Sequence, residues 1–359
     1  EGWFENDTQG GHQTWQTLGI TGTGVTVAVL DSGVDFGNPA LAGRYAVQPP
    51  TSAGSQAYAG WPVAFDDRSL SEYLAGPGRA WPDGWGWYVN ADYAITGSGF
   101  FTFTDPLAPG DIYTVTGTSL SERYLLGYHP DPALGNALLL VADEAVAGAY
   151  DAVYVDLDLN GDFETRLSRE APVGSLDLNE DGVPDTSAGM LYWIANGANP
   201  PPGARAVYGY GMPVPDAGSL LAFMIDTPYE EGGGHGTLCA SNVVGDDGGA
   251  FDPAARGVAA FYTPDYGPVV QGPAPGAKVL AMGNVYAGGS MESWYAFLMV
   301  GYDGVPASGD EPQVVSVSFG NSGVDNDGWD WESRHVTELG LAYGDAAPLF
   351  VNGAGNGGF

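Results

Sequence analysis

Four short apolar runs and three amphipathic stretches set the pattern of the chain. Residues 24–30 (GVTVAVL) are β-branched and apolar and are bounded by glycine, which predicts a buried strand. Residues 277–283 (AKVLAMG), 314–318 (VVSVS) and 348–351 (PLFV) read the same way. Residues 234–244 (GHGTLCASNVV) lack proline and place small and apolar residues at helical spacing, so a helix should start near His235. Residues 290–301 (SMESWYAFLMVG) and 331–342 (WESRHVTELGLA) fit two more helices, each opened by acidic residues near its start. Strands that alternate with helices indicate an α/β fold built on a parallel sheet.

The middle of the chain lacks that rhythm. Residues 137–142 (ALLLVA) and 152–155 (AVYV) are again candidate buried strands, but the sequence around them differs. Residues 45–110 are rich in Gly, Pro, Trp and Tyr, and residues 150–216 in Asp and Gly. Three segments result. Residues 1–44 open an α/β domain, residues 45–226 are a mostly β and loop insertion, and residues 227–359 resume the domain.

Composition narrows the function. Hydrophobic residues make up 44%, enough for a sizeable core. Ten basic residues against 44 acidic ones leave a net charge of −34, which repels phosphate backbones and anionic membranes and attracts divalent cations. Nucleic acid is therefore excluded as a partner. One cysteine, Cys239, rules out an internal disulfide framework. The apolar run Leu138–Val141 meets Asp143 and Glu144 at once, so no membrane span is expected. A start at Glu1, with neither Met nor a signal peptide, reads as a processed chain that is secreted or held at the cell surface.

Three motifs suggest chemistry. The first is VAVLDSGVD (27–35) with Asp31, the second GGHGTLCA (233–240) with His235, the third VNGAGNGG (351–358) with Asn356. Taken singly, a strand-end Asp is a cap, a lone His is structural and a Gly/Asn run is a loop. In this order they resemble the subtilisin-like serine peptidases. GPAPGAKVL (272–280) and VVSVSFG (314–320) are similar to further segments of that family, in the proper sequence.

The resemblance implies a serine endopeptidase that cleaves peptide bonds through an acyl-enzyme. His235 would be the base, Asp31 its orienter and Asn356 the side-chain donor to the oxyanion. Ser318, Phe319 and Gly320 would pair with an extended polypeptide substrate, and Gly353, Ala354 and Gly355 would wall the adjacent pocket. The family's serine follows the Asn in a Gly-Thr-Ser motif, and residues 1–359 show none after Asn356. The Gly117-Thr118-Ser119 triplet precedes the His and reads as an ordinary turn or strand. The chain is thus expected to be an incomplete N-terminal part of the catalytic domain. A C-terminal fragment of the same precursor would supply the serine.

Two acidic segments open like calcium loops, with carboxylates at alternate positions followed by glycine. They are Asp156, Asp158, Asn160 and Asp162, and Asp177, Asn179, Asp181 and Asp185. An EF-hand would carry Glu at the twelfth position, where Leu167 and Ala188 stand. Solvated Asx turns are the competing reading. The segments also resemble the insertion of pyrolysin-like archaeal subtilases, which points to structural Ca2+ and to a thermophile, although a single lysine suits a halophile. A third acidic group, Asp325, Asp327 and Asp330, reads equally as plain surface. His12, His129 and His335 share no ligand spacing, so no zinc site is expected. The run Trp81–Tyr88 fits either a sugar platform or the small core of the insertion. The rival functions are an inactive, calcium-stabilised surface-layer or adhesion module on this scaffold, and a carbohydrate-binding protein.

Overall fold

A computed structural model describes residues 11–49, 59–67, 88–105, 110–131, 135–163, 165–168, 171–177, 180, 182, 186–187, 191–194, 197–198, 203–204, 206, 214, 220–223, 234–246, 271–283, 290–320 and 327–355. In chain order, β1 (Thr26–Leu30) and β2 (Ala64–Phe65) come first. Then follow β3 (Tyr88–Thr96), β4 (Phe101–Thr104), β5 (Ile112–Val115), β6 (Arg123–Asp131), β7 (Gly135–Ala142), β8 (Ala152–Val155) and β9 (Thr165–Ser168). Two small antiparallel pairs join β10 (Ser175–Leu176) to β11 (Thr186–Ser187), and β12 (Leu191–Ile194) to β13 (Leu220–Phe223). The last third alternates α1 (His235–Val244), β14 (Lys278–Met282), α2 (Met291–Val300), β15 (Val314–Val317), α3 (Trp331–Tyr343) and β16 (Leu349–Asn352).

A parallel sheet in the order β16-β15-β1-β14-β2 carries the expected α/β rhythm. Its central strand is buried from Val27 to Leu30 because helices cover both faces of such a sheet. Ala240 and Val244 of α1 and Trp294, Phe297 and Leu298 of α2 belong to the same buried cluster. On the far edge the cover thins. No residue of α3 is buried, and Leu349 and Val351 of β16 are exposed.

The boundary expected at residue 45 falls inside this sheet. Tyr45 bridges to Val279, and β2 pairs with Ala281 and Met282 of β14. Trp61, Val63 and Phe65 are buried there, so residues through Phe65 belong to the parallel layer. A strand of two residues behind a proline is too short for periodicity to reveal.

The second sheet is antiparallel, in the order β3-β6-β7-β8-β9. Alternation along β7 serves two cores. Leu139 and Val141 join the cluster of the parallel sheet, while Leu138, Leu140 and Ala142 pack with Tyr113, Tyr124 and Phe163. The insertion is therefore welded to the α/β layer through one face of its own sheet. Of the aromatic run read in the sequence, residues 81–87 lie outside the described residues. Among the described residues no helix is long and apolar enough to cross a membrane.

Candidate active site

The C-terminal edge of the parallel sheet gathers the candidate residues. Asp31 follows β1, Ser318–Gly320 follow β15, and Gly353–Gly355 follow β16, three neighbouring strands of one sheet. His235 is the first residue of α1, which enters against the end of β1.

Close packing sets that entry. A Cβ on Gly236 would stand 1.9 Å from the Gly33 carbonyl oxygen, so only glycine lets the helix approach the Asp31 turn. Three contacts hold the helix there. The Gly236 N–H donates to Ser32 Oγ (2.9 Å), the Asp35 N–H donates to Thr237 Oγ1 (2.8 Å), and Arg44 pairs with Asp246 (2.6 Å) just beyond the helix.

The result is an acid–imidazole pair separated by 204 positions in the chain, with His235 Nδ1 2.8 Å from Asp31 Oδ1. The Ser32 N–H donates to the same carboxylate oxygen at 2.7 Å. Asp31 is fully buried, whereas the His235 side chain is 38% exposed. A buried carboxylate behind a half-exposed imidazole fixes one tautomer and leaves Nε2 as a base toward solvent. Asp31 Oδ2 is buried with no hydrogen-bond partner among the described residues. Cys239, one helical turn after His235, brings Sγ to 3.8 Å from Nδ1.

Ser318 and Gly320 are exposed at the end of β15, and Phe319 between them packs edge-on against Trp294, with ring centroids 6.3 Å apart. Gly353, Ala354 and Gly355 are exposed beside them, and the Gly353 N–H donates to Val317 O at 2.8 Å. Asn356 lies outside the described residues.

Ser119 is elsewhere. It is buried in the insertion, where its hydroxyl lies 2.7 Å from the Arg123 carbonyl and also reaches the Asp143 carboxylate. Asp143 further accepts from the Ser121 N–H (3.1 Å) and the Gly148 N–H. Burial pushes its carboxyl up, but these donors outweigh burial and hold it at about 2.

The two acidic segments share one backbone design. In the first, Asp156 accepts from the Asn160 and Gly161 N–H groups, both at 3.1 Å, and the Asp162 N–H donates to Asn160 Oδ1 at 2.7 Å. In the second, Asp177 accepts from the Gly182 N–H at 2.7 Å. Left-handed residues recur at the fourth and sixth positions: Leu159 and Gly161, then Glu180 and Gly182. Asp156, Asp158 and Asp162 are not drawn into one tight group, and oxygens of Asp156 and Asp158 cap backbone N–H groups. Asn179, Asp181, Asp185 and Asp325 lie outside the described residues, and Asp327 and Asp330 cap backbone N–H groups at the start of α3.

Among the described residues, the one group of three such side chains with ligand atoms within 4.8 Å of one another is Asp31, His235 and Cys239. The i, i+4 spacing of His235 and Cys239 was the only signal of it in the sequence. The supporting contacts of Ser32 and Thr237 left none.

A family model described as the subtilase family matches residues 22–359. The chain is 28% identical over 371 residues to pyrolysin of Pyrococcus furiosus, covering 96% of this chain and 24% of that protein. It thus spans about a quarter of that relative's length. No solved structure matches it.

Proposed function

The chain belongs to the subtilase family, and from that premise we propose that it provides the base and orienter of a serine endopeptidase of subtilisin type. The observation that carries this reading is the 2.8 Å pair of buried Asp31 and half-exposed His235 at the sheet's C-terminal edge. His235 Nε2 takes the proton of the attacking serine and later returns it to the leaving amine. Asp31 holds the imidazole and stabilises its cation. Asn356 supplies the amide that meets the oxyanion. The exposed strand end Ser318–Gly320 adds an extended polypeptide as a further strand, and Gly353–Gly355 wall the pocket beside it.

The serine comes from outside residues 1–359, on a C-terminal fragment of the same precursor. Ser119 is spoken for by Asp143 and Arg123 in the other sheet. The enzyme works outside the cell. Calcium, held through Asp156, Asp158, Asn160 and Asp162 and through Asp177 and its loop, ties down the insertion and screens part of the −34 charge. The shared backbone of the two loops supports that assignment, and the ion's part is structural.

Native material, labelled with a serine-directed phosphonate and weighed intact, tests the reading. We expect the label on a serine outside residues 1–359, and no label in the His235→Ala variant. A folded protein that takes no label leaves the inactive surface module. A label on Ser119 overturns the assignment of roles.

A further inference from the structure

We propose that the exposed aromatic plate at the start of α3, Trp331 backed by His335 and flanked by Trp329, is a docking surface for an arginine side chain of an extended polypeptide. The binding stands on this surface alone, whereas calling that polypeptide a substrate rests on the peptidase reading.

Tryptophan is highly buried on average. Here Trp329 is 77% exposed and Trp331 51%. The turn that opens α3 fixes their place. Asp327 Oδ1 accepts the Trp329 N–H at 2.8 Å, and Asp330 caps the helix by accepting the Ser333 N–H at 2.8 Å. One helical turn separates Trp331 from His335, so the two rings share a face of α3. They lie almost parallel, at 7°, with centroids 5.1 Å apart. His335 in turn meets the buried Tyr295 of α2, with centroids 5.2 Å apart. Trp331 is therefore held from behind, with its other face toward solvent.

Charge names the occupant. Burial, with Glu332 and then Asp330 adding to it, pushes the Tyr295 hydroxyl up to about 12, so both carboxylates act on the ring cluster. The Ser333 N–H and hydroxyl hold the Asp330 carboxyl below its ordinary value and keep it charged. Over residues 327–355 the acids Asp327, Asp330, Glu332, Glu338 and Asp345 outnumber the one arginine, Arg334. An open indole face beside carboxylates complements a planar guanidinium, which stacks on the ring and donates from its edge to carboxylate oxygens. A lysine answers the charge without a plane to stack, and a neutral sugar stacks without answering the charge.

The plate ends an aromatic run that begins at the substrate strand. Phe319, between Ser318 and Gly320, meets Trp294 of α2, and the next residue, Tyr295, leads to His335 and Trp331. Because α3 connects the parallel strands β15 and β16, its first turn lies at the edge of the sheet where β15 ends. Plate and strand end thus open on one edge, and a polypeptide paired with Ser318–Gly320 has the plate beside it.

NMR titration of the full chain with a capped Gly-Arg-Gly-Arg-Gly peptide tests the binding. The chain has ten tryptophans, and Trp331→Ala assigns one indole N–H signal by removing it. We expect that signal to shift saturably in the parent. Trp331→Ala keeps the net charge of −34, so general attraction of cations survives in it. No residue of α3 is buried, so circular dichroism should be unchanged. Affinity, read from the peptide's own signals, should fall about fivefold in Trp331→Ala, and about fivefold in the parent when citrulline replaces arginine, which is what a cation over an exposed ring is worth. Trp331→Phe, which keeps a ring, should lose less. A Trp331 signal that does not shift, or an affinity in Trp331→Ala within about twofold of the parent, overturns the surface. Citrulline bound as tightly as arginine overturns the cation and leaves a sugar-type platform. Binding in a protein that takes no phosphonate label retains the surface and discards its part in substrate capture. A labelled protein that does not bind the peptide discards the surface and keeps the peptidase.

Discussion

Asp31 in the parallel sheet and Asp143 in the antiparallel sheet begin alike. Each directly follows a buried strand, each is fully buried, and each has a serine close by. Their surroundings then diverge. Asp143 is satisfied by Ser119, Ser121 and Gly148, so it locks a turn. Asp31 takes one backbone donor, keeps one oxygen unpartnered and turns the other on a half-exposed imidazole. A strand-end carboxylate therefore says nothing of its role until its partners are known. Saturation marks structure, and an incomplete shell facing a base marks chemistry.

The sharpest way to break this comparison is to neutralise Asp31 and, separately, to remove the serine donor of Asp143. In the reconstituted enzyme, Asp31→Asn should lower kcat by about 10⁴-fold, the cost of a wrong tautomer in a comparable triad. Ser119→Ala should leave kcat unchanged, since that hydroxyl belongs to the other sheet. Single-turnover hydrolysis of a chromogenic peptide reads both. Unchanged activity in Asp31→Asn, or lost activity in Ser119→Ala, reverses the roles.

A smaller effect probes how the pair is held. Gly236→Ala puts a methyl 1.9 Å from the Gly33 carbonyl and must push α1 off the end of β1. A displacement near 1 Å costs about 10²-fold in rate. The fall should appear in kcat with circular dichroism unchanged. A variant as active as the parent would show that the approach of helix and strand is not what positions His235.

Much of this was legible in the sequence, and the limits have physical causes. Four strands of the parallel sheet announce themselves as apolar runs, and in β1 and β14 the cause is burial on both faces, which removes the polar alternation. The fifth, Ala64–Phe65, is too short to carry any period. The pairing of Asp31 with His235 could not come from spacing, since 204 positions separate them and a whole sheet intervenes. It came from motifs in order. The capping of Asp156 and Asp177 by their own loops depends on left-handed residues at Leu159 and Glu180, where sequence favours no such conformation.

Stability separates the two regions further. If calcium occupies the loops, removing it with EGTA should cost about 2.7 kcal/mol of stability per site when the ion stands at 100 times its Kd, and lower the melting temperature accordingly. Calorimetry with and without chelator checks this, and indifference to chelator removes the calcium assignment. Ser119→Ala, silent in activity, should cost about 1–3 kcal/mol, because it deprives a buried carboxylate of a donor. Urea melts of parent and variant give the difference, and a variant as stable as the parent would show that Asp143 does not depend on that donor.

The smallest effect sets the two sheets against each other through pH. Asp143 is held at about 2, so its contribution is complete above the ordinary carboxylate value of 3.8 and is lost only as pH falls toward 2. Asp310, beside the parallel sheet, behaves oppositely. Burial, then the charge of Asp303, push it up to about 6, while Gln48 and Ser308 hold it down and Glu311 adds to the rise. Its carboxyl also accepts from the Tyr302 N–H at 3.0 Å. With the folded value above the unfolded one, the folded chain binds the extra proton. The contribution of Asp310 is therefore greatest below its ordinary value of 3.8, falls as pH rises to about 6, and stays low beyond. Asp310→Asn keeps an acceptor and removes the charge. It should stabilise the chain at pH 7.5 by about 1–2 kcal/mol, less than the roughly 3 that the whole shift converts to, because the amide still faces Asp303 and Ser308. The gain should vanish near pH 4. Paired thermal melts at the two pH values measure it, and an equal gain at both would mean that packing, not the buried charge, governs that corner of the sheet.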